Sequence, residues 1–211
     1  MATKLGLYQG TLLLIKERAI SVTLSDTEAW RHTIDVVYDR VLKYMLEQGR
    51  WNFATRTVQL DASEDVEPEF GFSYAFDKPD DYRRTIKMSA NERLFPTLGA
   101  GQFVNEGATW FADVDPLYVS YVSDGAAYGG DLTLWPEMFA TAVEHEIAKR
   151  VGPGLTGISG SALDEIKRDA LGALRRAKSW DAQNQPADPL PPGRLVSARR
   201  GYRQTARFRG E

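Results

Sequence analysis

The sequence predicts an α+β protein: a helical bundle carrying a β-rich antiparallel insertion, followed by an extended C-terminal tail. Three observations predict it. Apolar residues recur at steps of three and four between Trp30 and Met45, and again from Phe139 to Ile147 and from Leu163 to Ala177. Between these helical stretches Phe70, Phe72, Tyr74 and Phe76 alternate strictly with Gly71, Ser73 and Ala75, the two-residue period of a strand. After Asn184 come Pro186, Pro189, Pro191 and Pro192, then arginines with almost no aliphatic content, a composition that forms no core of its own. The expected boundaries are 1–50 and 131–185 for the bundle, 51–130 for the insertion and 186–211 for the tail.

Residues 5–18 read as a short first helix with Leu7, Leu14 and Ile15 facing inward, weakened by Gly6 and Gly10. Residues 20–24 connect it to Ser25 and Glu28, whose spacing is that of a capping box. The spine helix starts there. Trp30, Ile34, Val37, Val41, Tyr44 and Met45 form its apolar face, and Arg31, Asp35, Asp39, Lys43 and Glu47 its charged one. Arg31–Asp35 and Asp39–Lys43 are four apart, a spacing that favours ion pairs. Gly49 is the expected stop, a left-handed C′ position, giving a helix roughly 35 Å long at about 1.5 Å per residue.

Beyond Trp51 the period becomes that of strands. Residues 53–60 read as a strand, and Asp61, Glu64, Asp65, Glu67 and Glu69 follow in a loop without a basic residue. The aromatic alternation of residues 70–76 makes a second strand. After the Lys78-Pro79-Asp80-Asp81 turn, residues 82–88 make a third, with Tyr82, Ile86 and Met88 on one side and Arg83, Thr85 and Lys87 on the other. Phe103-Val104 and Trp110-Phe111 flank Asn105-Glu106-Gly107-Ala108 as a hairpin. Residues 117–122, rich in β-branched and aromatic side chains, are the last strand. Helix returns at Trp135-Pro136-Glu137, with proline at the first helical position. Phe139, Val143 and Ile147 should pack on Ile34, Val37 and Val41, and Gly152-Pro153-Gly154 should end the helix. The final helix enters through Ser159-Gly160-Ser161 and turns Leu163, Ile166, Ala170, Leu174 and Ala177 inward.

The 211 residues contain no cysteine, which excludes disulfides, thiolate metal sites and a cysteine nucleophile. The longest aliphatic run, Leu12-Leu13-Leu14-Ile15, is far below the ~20 residues that cross a bilayer. Met1-Ala2-Thr3-Lys4 leads into no signal-peptide pattern, so folding in a cytosol and no membrane partner are expected. The net charge of −3 is unevenly spread: residues 186–211 carry six arginines against Asp188 and Glu211, a local +4, leaving −7 for everything before them. An acidic body with a basic tail suggests that the tail has its own partner.

Few residue patterns point to catalysis. Gly152-Pro153-Gly154-Leu155-Thr156-Gly157 matches G-x-G-x-x-G, but a helix precedes it where the dinucleotide motif needs a strand. His145-Glu146 is followed by Lys149 where a zinc protease would place its second histidine, and His32 lies on the polar face of the spine. No G-x-S-x-G elbow is present. Asp113 and Asp115 have too few oxygen partners nearby for a calcium loop and read as a solvated turn. The aromatic stripe at 70–76 could stack bases, but no basic residue interleaves it and an acidic loop precedes it. No enzyme activity, cofactor or metal is therefore expected. The tail offers the strongest functional candidate: Arg194, Arg199, Arg200, Tyr202, Arg203, Arg207, Phe208 and Arg209 combine the residue types that dominate interface hot spots, suited to docking on an acidic protein surface.

Taken in order, several segments resemble the head-to-tail adaptor of short-tailed bacteriophages, the family that includes tail tubular protein A. They are Trp51-Asn52-Phe53-Ala54, Tyr74-Ala75-Phe76 with Pro79-Asp80-Asp81-Tyr82-Arg83-Arg84, Ala112-Asp113-Val114-Asp115 with Leu117-Tyr118-Val119-Ser120-Tyr121-Val122, and Trp135-Pro136-Glu137-Met138-Phe139 with Leu155-Thr156-Gly157. The resemblance spans roughly residues 5–180 and departs from the family at Asp77-Lys78-Pro79, where a leucine would precede the proline. It implies a structural virion protein at the head–tail junction, assembled in the host cytoplasm as a ring of twelve copies. The ring would join the portal protein to the tail nozzle protein, with DNA passing through its lumen without sequence-specific binding. On that reading the acidic surface met by the arginine tail is the portal, and acidic lumen walls would favour passage of DNA over adhesion. Two other classes stay open: a nucleic-acid-binding protein using the tail on phosphates, and a metal-dependent hydrolase acting through Asp80, Asp81, Asp113 or Asp115.

Overall fold

The computed structural model describes residues 2–15, 29–69 and 71–184. The expected capping box at Ser25 and Glu28, the connector at 20–24, Phe70 and the whole tail with its candidate residues lie outside them. Thr3 starts the first helix, α1 (Lys4–Leu14), its side chain accepting from the Gly6 N–H at 3.1 Å. Leu7, Tyr8, Thr11, Leu12 and Ile15 are buried, while Leu14, expected inward, is only half-buried. Gly10 fits this face because a Cβ there would meet the Glu144 carboxyl at 2.4 Å; its role is close helix approach.

The spine, α2 (Ala29–Glu47), buries Ile34, Tyr38, Val41, Met45 and Leu46. Tyr38 replaces Val37 at the centre of the face, because Tyr38 lies four residues from Ile34 and three from Val41. Arg31 pairs with Asp35 at 3.3 Å; Asp39–Lys43 is absent from the ion pairs of the described residues. Gly49 does not have the expected left-handed φ. It is needed for packing instead: a Cβ would meet the Trp51 indole at 2.6 Å. Residues 52–54 form a 3-10 turn where a strand was expected to begin, because Trp51 and Ala54 turn into the bundle core and Thr55 Oγ1 donates to the Trp51 carbonyl at 2.7 Å.

Among the described residues six strands follow: β1 (Thr55–Leu60), β2 (Tyr74–Asp77), β3 (Tyr82–Ser89), β4 (Phe103–Glu106), β5 (Thr109–Ala112) and β6 (Leu117–Ser123). They form two antiparallel three-stranded sheets, ordered β1-β6-β3 and β2-β5-β4. Phe76, Met88, Trp110, Ala112, Leu117, Val119 and Tyr121 make the core they share. The aromatic alternation overstates β2, since Gly71 sits at φ 88°, a left-handed conformation that ends an extended run. Only Phe76 of the described stripe is enclosed; Phe72 is half-buried and Tyr74 exposed. Two register shifts in β3 break its alternation, so Tyr82 and Met88 serve the sheet core and Ile86 the bundle core. The β4–β5 hairpin closes through Gly107-Ala108 alone, with Gly107 at φ 46°.

Helix α3 (Glu137–Thr156) is the hub, packed against α1, α2 and α4 (Gly160–Gln183). Phe139, Val143 and Ile147 are fully enclosed with Ile34 and Val41, as the periodicity predicts. Gly152-Pro153-Gly154 does not end α3. Pro153 falls in the last turn, where its missing N–H forfeits one bond, and Leu155 still packs on the core; Gly157, at φ 67°, is the true stop. Pro136 caps the helix from just outside its first residue. In α4 Ala170, Ala173 and Ala177 are buried and Leu163, Ile166 and Leu174 half-buried. The base of the insertion is built into the bundle: Ala54 and Val122 belong to its core, and Phe53 and Ile86 pack against it.

Candidate functional site

The described chain ends beside its most elaborate corner. Trp51 lies on Gly49, donates its indole N–H to the Met45 carbonyl at 2.9 Å, and packs edge-on against Phe139 with ring centroids 4.7 Å apart. Trp135 and Phe53 contact the same Phe139 ring at 4.9 and 4.8 Å. This fixes the backbone of Asn52. Its N–H donates to both Asp181 carboxylate oxygens at 3.2 Å, and its side-chain amide donates to the Asp181 carbonyl at 2.9 Å. Asp181 is the one buried carboxylate of α4, and burial raises its pKa although the Asn52 N–H opposes the shift. The last turn of α4, from which residues 185–211 continue, is thus clamped to the root of the insertion.

Beside the clamp lies a cleft of about 260 Å³ whose lining includes Arg50, Arg84, Lys178 and Asp181. Arg84 donates to the Glu47 carbonyl at 3.0 Å, at the end of α2. Burial, and then the Arg84 charge, push the Lys178 pKa down. Three cations in one cleft suit a carboxylate or another anion.

A second polar cluster braces the insertion. Asp81 accepts from Arg56 at 2.9 Å, from the Tyr121 hydroxyl at 2.8 Å and from the Ser123 hydroxyl. Burial disfavours its charge, but the bonds from Ser123, Arg56 and Tyr121 together outweigh it, and its pKa falls below the ordinary carboxylate value. Arg83 grips Asp124 through Nε at 2.6 Å and through Nη2. These pairs hold the glycine-rich return at 125–130 against the sheet.

The third feature is a groove of about 430 Å³ on the far face of β4–β5. Strand alternation places Val104, Glu106 and Phe111 on the face opposite Trp110 and Ala112. The acidic loop covers that face with Val66, Glu67, Pro68 and Glu69, and Phe72 completes the floor. Asp113 secures the covering loop by accepting from the Ser73 N–H at 2.9 Å and hydroxyl at 3.1 Å. Glu67, Glu69 and Glu106 are exposed on the rim, and among the described residues no lysine or arginine lines it.

The remaining sequence candidates are dispersed. Asp115 accepts from the Ala62 N–H at 3.3 Å, at the start of the β1–β2 loop whose end Asp113 holds, and Asp80 is exposed. No three His, Asp or Glu side chains gather as a metal site among the described residues. His32 is exposed; His145 is half-buried, and burial lowers its pKa, with Asp169 and Arg176 acting in opposite senses. Arg194, Arg199, Arg200, Tyr202, Arg203, Arg207, Phe208 and Arg209 lie outside the described residues. The clamp escaped the sequence reading, yet it left a signal: Asp181 continues the inward stripe Ala170, Ala173, Ala177, where an acid demands a partner. No protein-family model matches the chain, and no curated protein does.

Proposed function

We propose that this protein is the structural adaptor at the head–tail junction of a short-tailed phage, a ring of about twelve copies joining portal to tail nozzle around the DNA channel. The ring count comes from the family resemblance alone. The carrying observation is the corner at residues 51–54. One of the segments that carry the resemblance, Trp51-Asn52-Phe53-Ala54, also fixes the last turn of α4, giving the arginine tail a rigid starting point. In this reading Arg194, Arg199, Arg200, Arg203, Arg207 and Arg209 bond portal carboxylates while Tyr202 and Phe208 fill apolar pockets. The insertion, with all five carboxylates of its 61–69 loop exposed, faces neighbouring copies or the nozzle. DNA crosses the lumen without being read, and no catalysis is involved.

The test is co-sedimentation with portal rings of a protein truncated after Gln185, alongside a DNA titration at two salt concentrations. Normal helix content with loss of portal attachment is the expected outcome. Retained attachment ends the docking reading. If DNA affinity collapses instead, the tail is a phosphate-binding arm, whose grip weakens steeply with salt.

A further inference from the structure

We propose that the groove on the far face of β4–β5 is a docking site for an arginine- and aromatic-bearing peptide, and that in the free protein its occupant is the chain's own segment 194–209. This goes beyond the adaptor reading and stands whether or not the portal is the partner. The groove offers an apolar floor of Val66, Phe72, Val104 and Phe111 beneath the Glu67, Glu69 and Glu106 carboxylates. Segment 194–209 is its chemical complement: six arginines, Tyr202 and Phe208, and no acidic residue. Aromatic rings bury in such a floor while guanidinium groups bond the rim. The volume of about 430 Å³ lies within the range of sites that enclose a bound group.

The clamp holds Asp181 at Asn52, three residues before β1, and the six residues of β1 rise about 20 Å towards the acidic loop. Residues 185–193 span up to about 30 Å when extended, more than the length of β1, at whose end the acidic loop begins. The cationic cleft beside the clamp repels the segment, and the groove attracts it. Because groove and segment belong to one chain, the effective concentration is on the millimolar scale, so even a weak contact is occupied.

The natural absence of cysteine allows a single nitroxide at Ser197→Cys in the otherwise intact full chain. The amide signals of Glu67, Val104, Glu106 and Phe111 should then lose most of their intensity, and recover at about 1 M salt, where screening acts over about 3 Å. They should also recover in Glu67→Gln/Glu69→Gln/Glu106→Gln, whose sites are exposed and whose fold is checked by the Trp110 indole signal. Unchanged signals in the labelled chain overturn the proposal, as does equal loss in the triple variant. A third sample mixes spin-labelled protein with isotope-labelled protein lacking the nitroxide. Signal loss in that mixture assigns the occupant to a second copy and overturns docking within the chain.

Discussion

In the bundle, Val143 and Ile147 are enclosed by apolar side chains from neighbouring helices, and the buried carboxylates are partnered, Glu146 by Lys149 and Arg150 and Asp181 by Asn52. In the insertion two small sheets share a core centred on Trp110, whose indole N–H finds no hydrogen-bond acceptor among the described residues, and half-buried ion pairs complete the structure. The bundle, with much the larger apolar core, is held mainly by a non-directional effect, which tolerates small shifts. The insertion relies more on directional bonds, which do not.

The largest way to break this comparison is Val143→Asp. An unpaired carboxylate in the hub should cost about 4 kcal/mol or more and abolish helical circular dichroism. Next, Trp110→Ala should cost about 3 kcal/mol and strip amide-exchange protection from β4–β6 while α3 stays protected. Simultaneous loss in both regions would mean the two cores form one cooperative unit. Asp81→Asn, which removes the charge held by Arg56, Tyr121 and Ser123, should cost about 1–2 kcal/mol, read as a lower urea midpoint.

Asp81 of the insertion and Glu144 of the bundle should answer pH in opposite senses. The folded pKa of Asp81 is depressed, so its contribution is present above the ordinary carboxylate value of about 4 and lost as pH falls through the folded pKa. Glu144, at the α1–α3 contact, is pushed by burial, and then by Glu137, from 4.5 to about 7. Its charged form is the penalised one, so the bundle loses stability as pH rises through that interval. Glu144→Gln should flatten this slope and raise stability at pH 8 by roughly 1 kcal/mol, discounted for partial solvation. Urea titrations of both variants across pH 3–8 check the signs.

Helical faces were legible because burial there follows one period along one segment; α3 and α4 present the residues that spacing selects. Gly152-Pro153-Gly154 misled because a proline in a final turn sacrifices one bond, less than the burial of Leu155 returns. The aromatic stripe misled because alternation says nothing of the φ that Gly71 adopts. The bulges of β3 and the groove were not legible at all. Both depend on which distant segment lies alongside, information no local pattern carries. Asp181 stood between these cases, its inward position readable but its partner, Asn52, not.

The clamp has a mechanical consequence. Tension applied to residues beyond Asn184 first reaches a helix end, the place where a helix unzips one hydrogen bond at a time. Here, within the last turn, the pull meets Asn52, which holds Asp181 by both carboxylate and carbonyl. Asn52 is itself backed by Trp51 wedged between Gly49 and Phe139. Force on the tail is therefore diverted out of α4 and shared with the α2–β1 corner, where several bonds must break together. A pull strong enough to free the tail would disturb the base of the insertion before it unwound the helix.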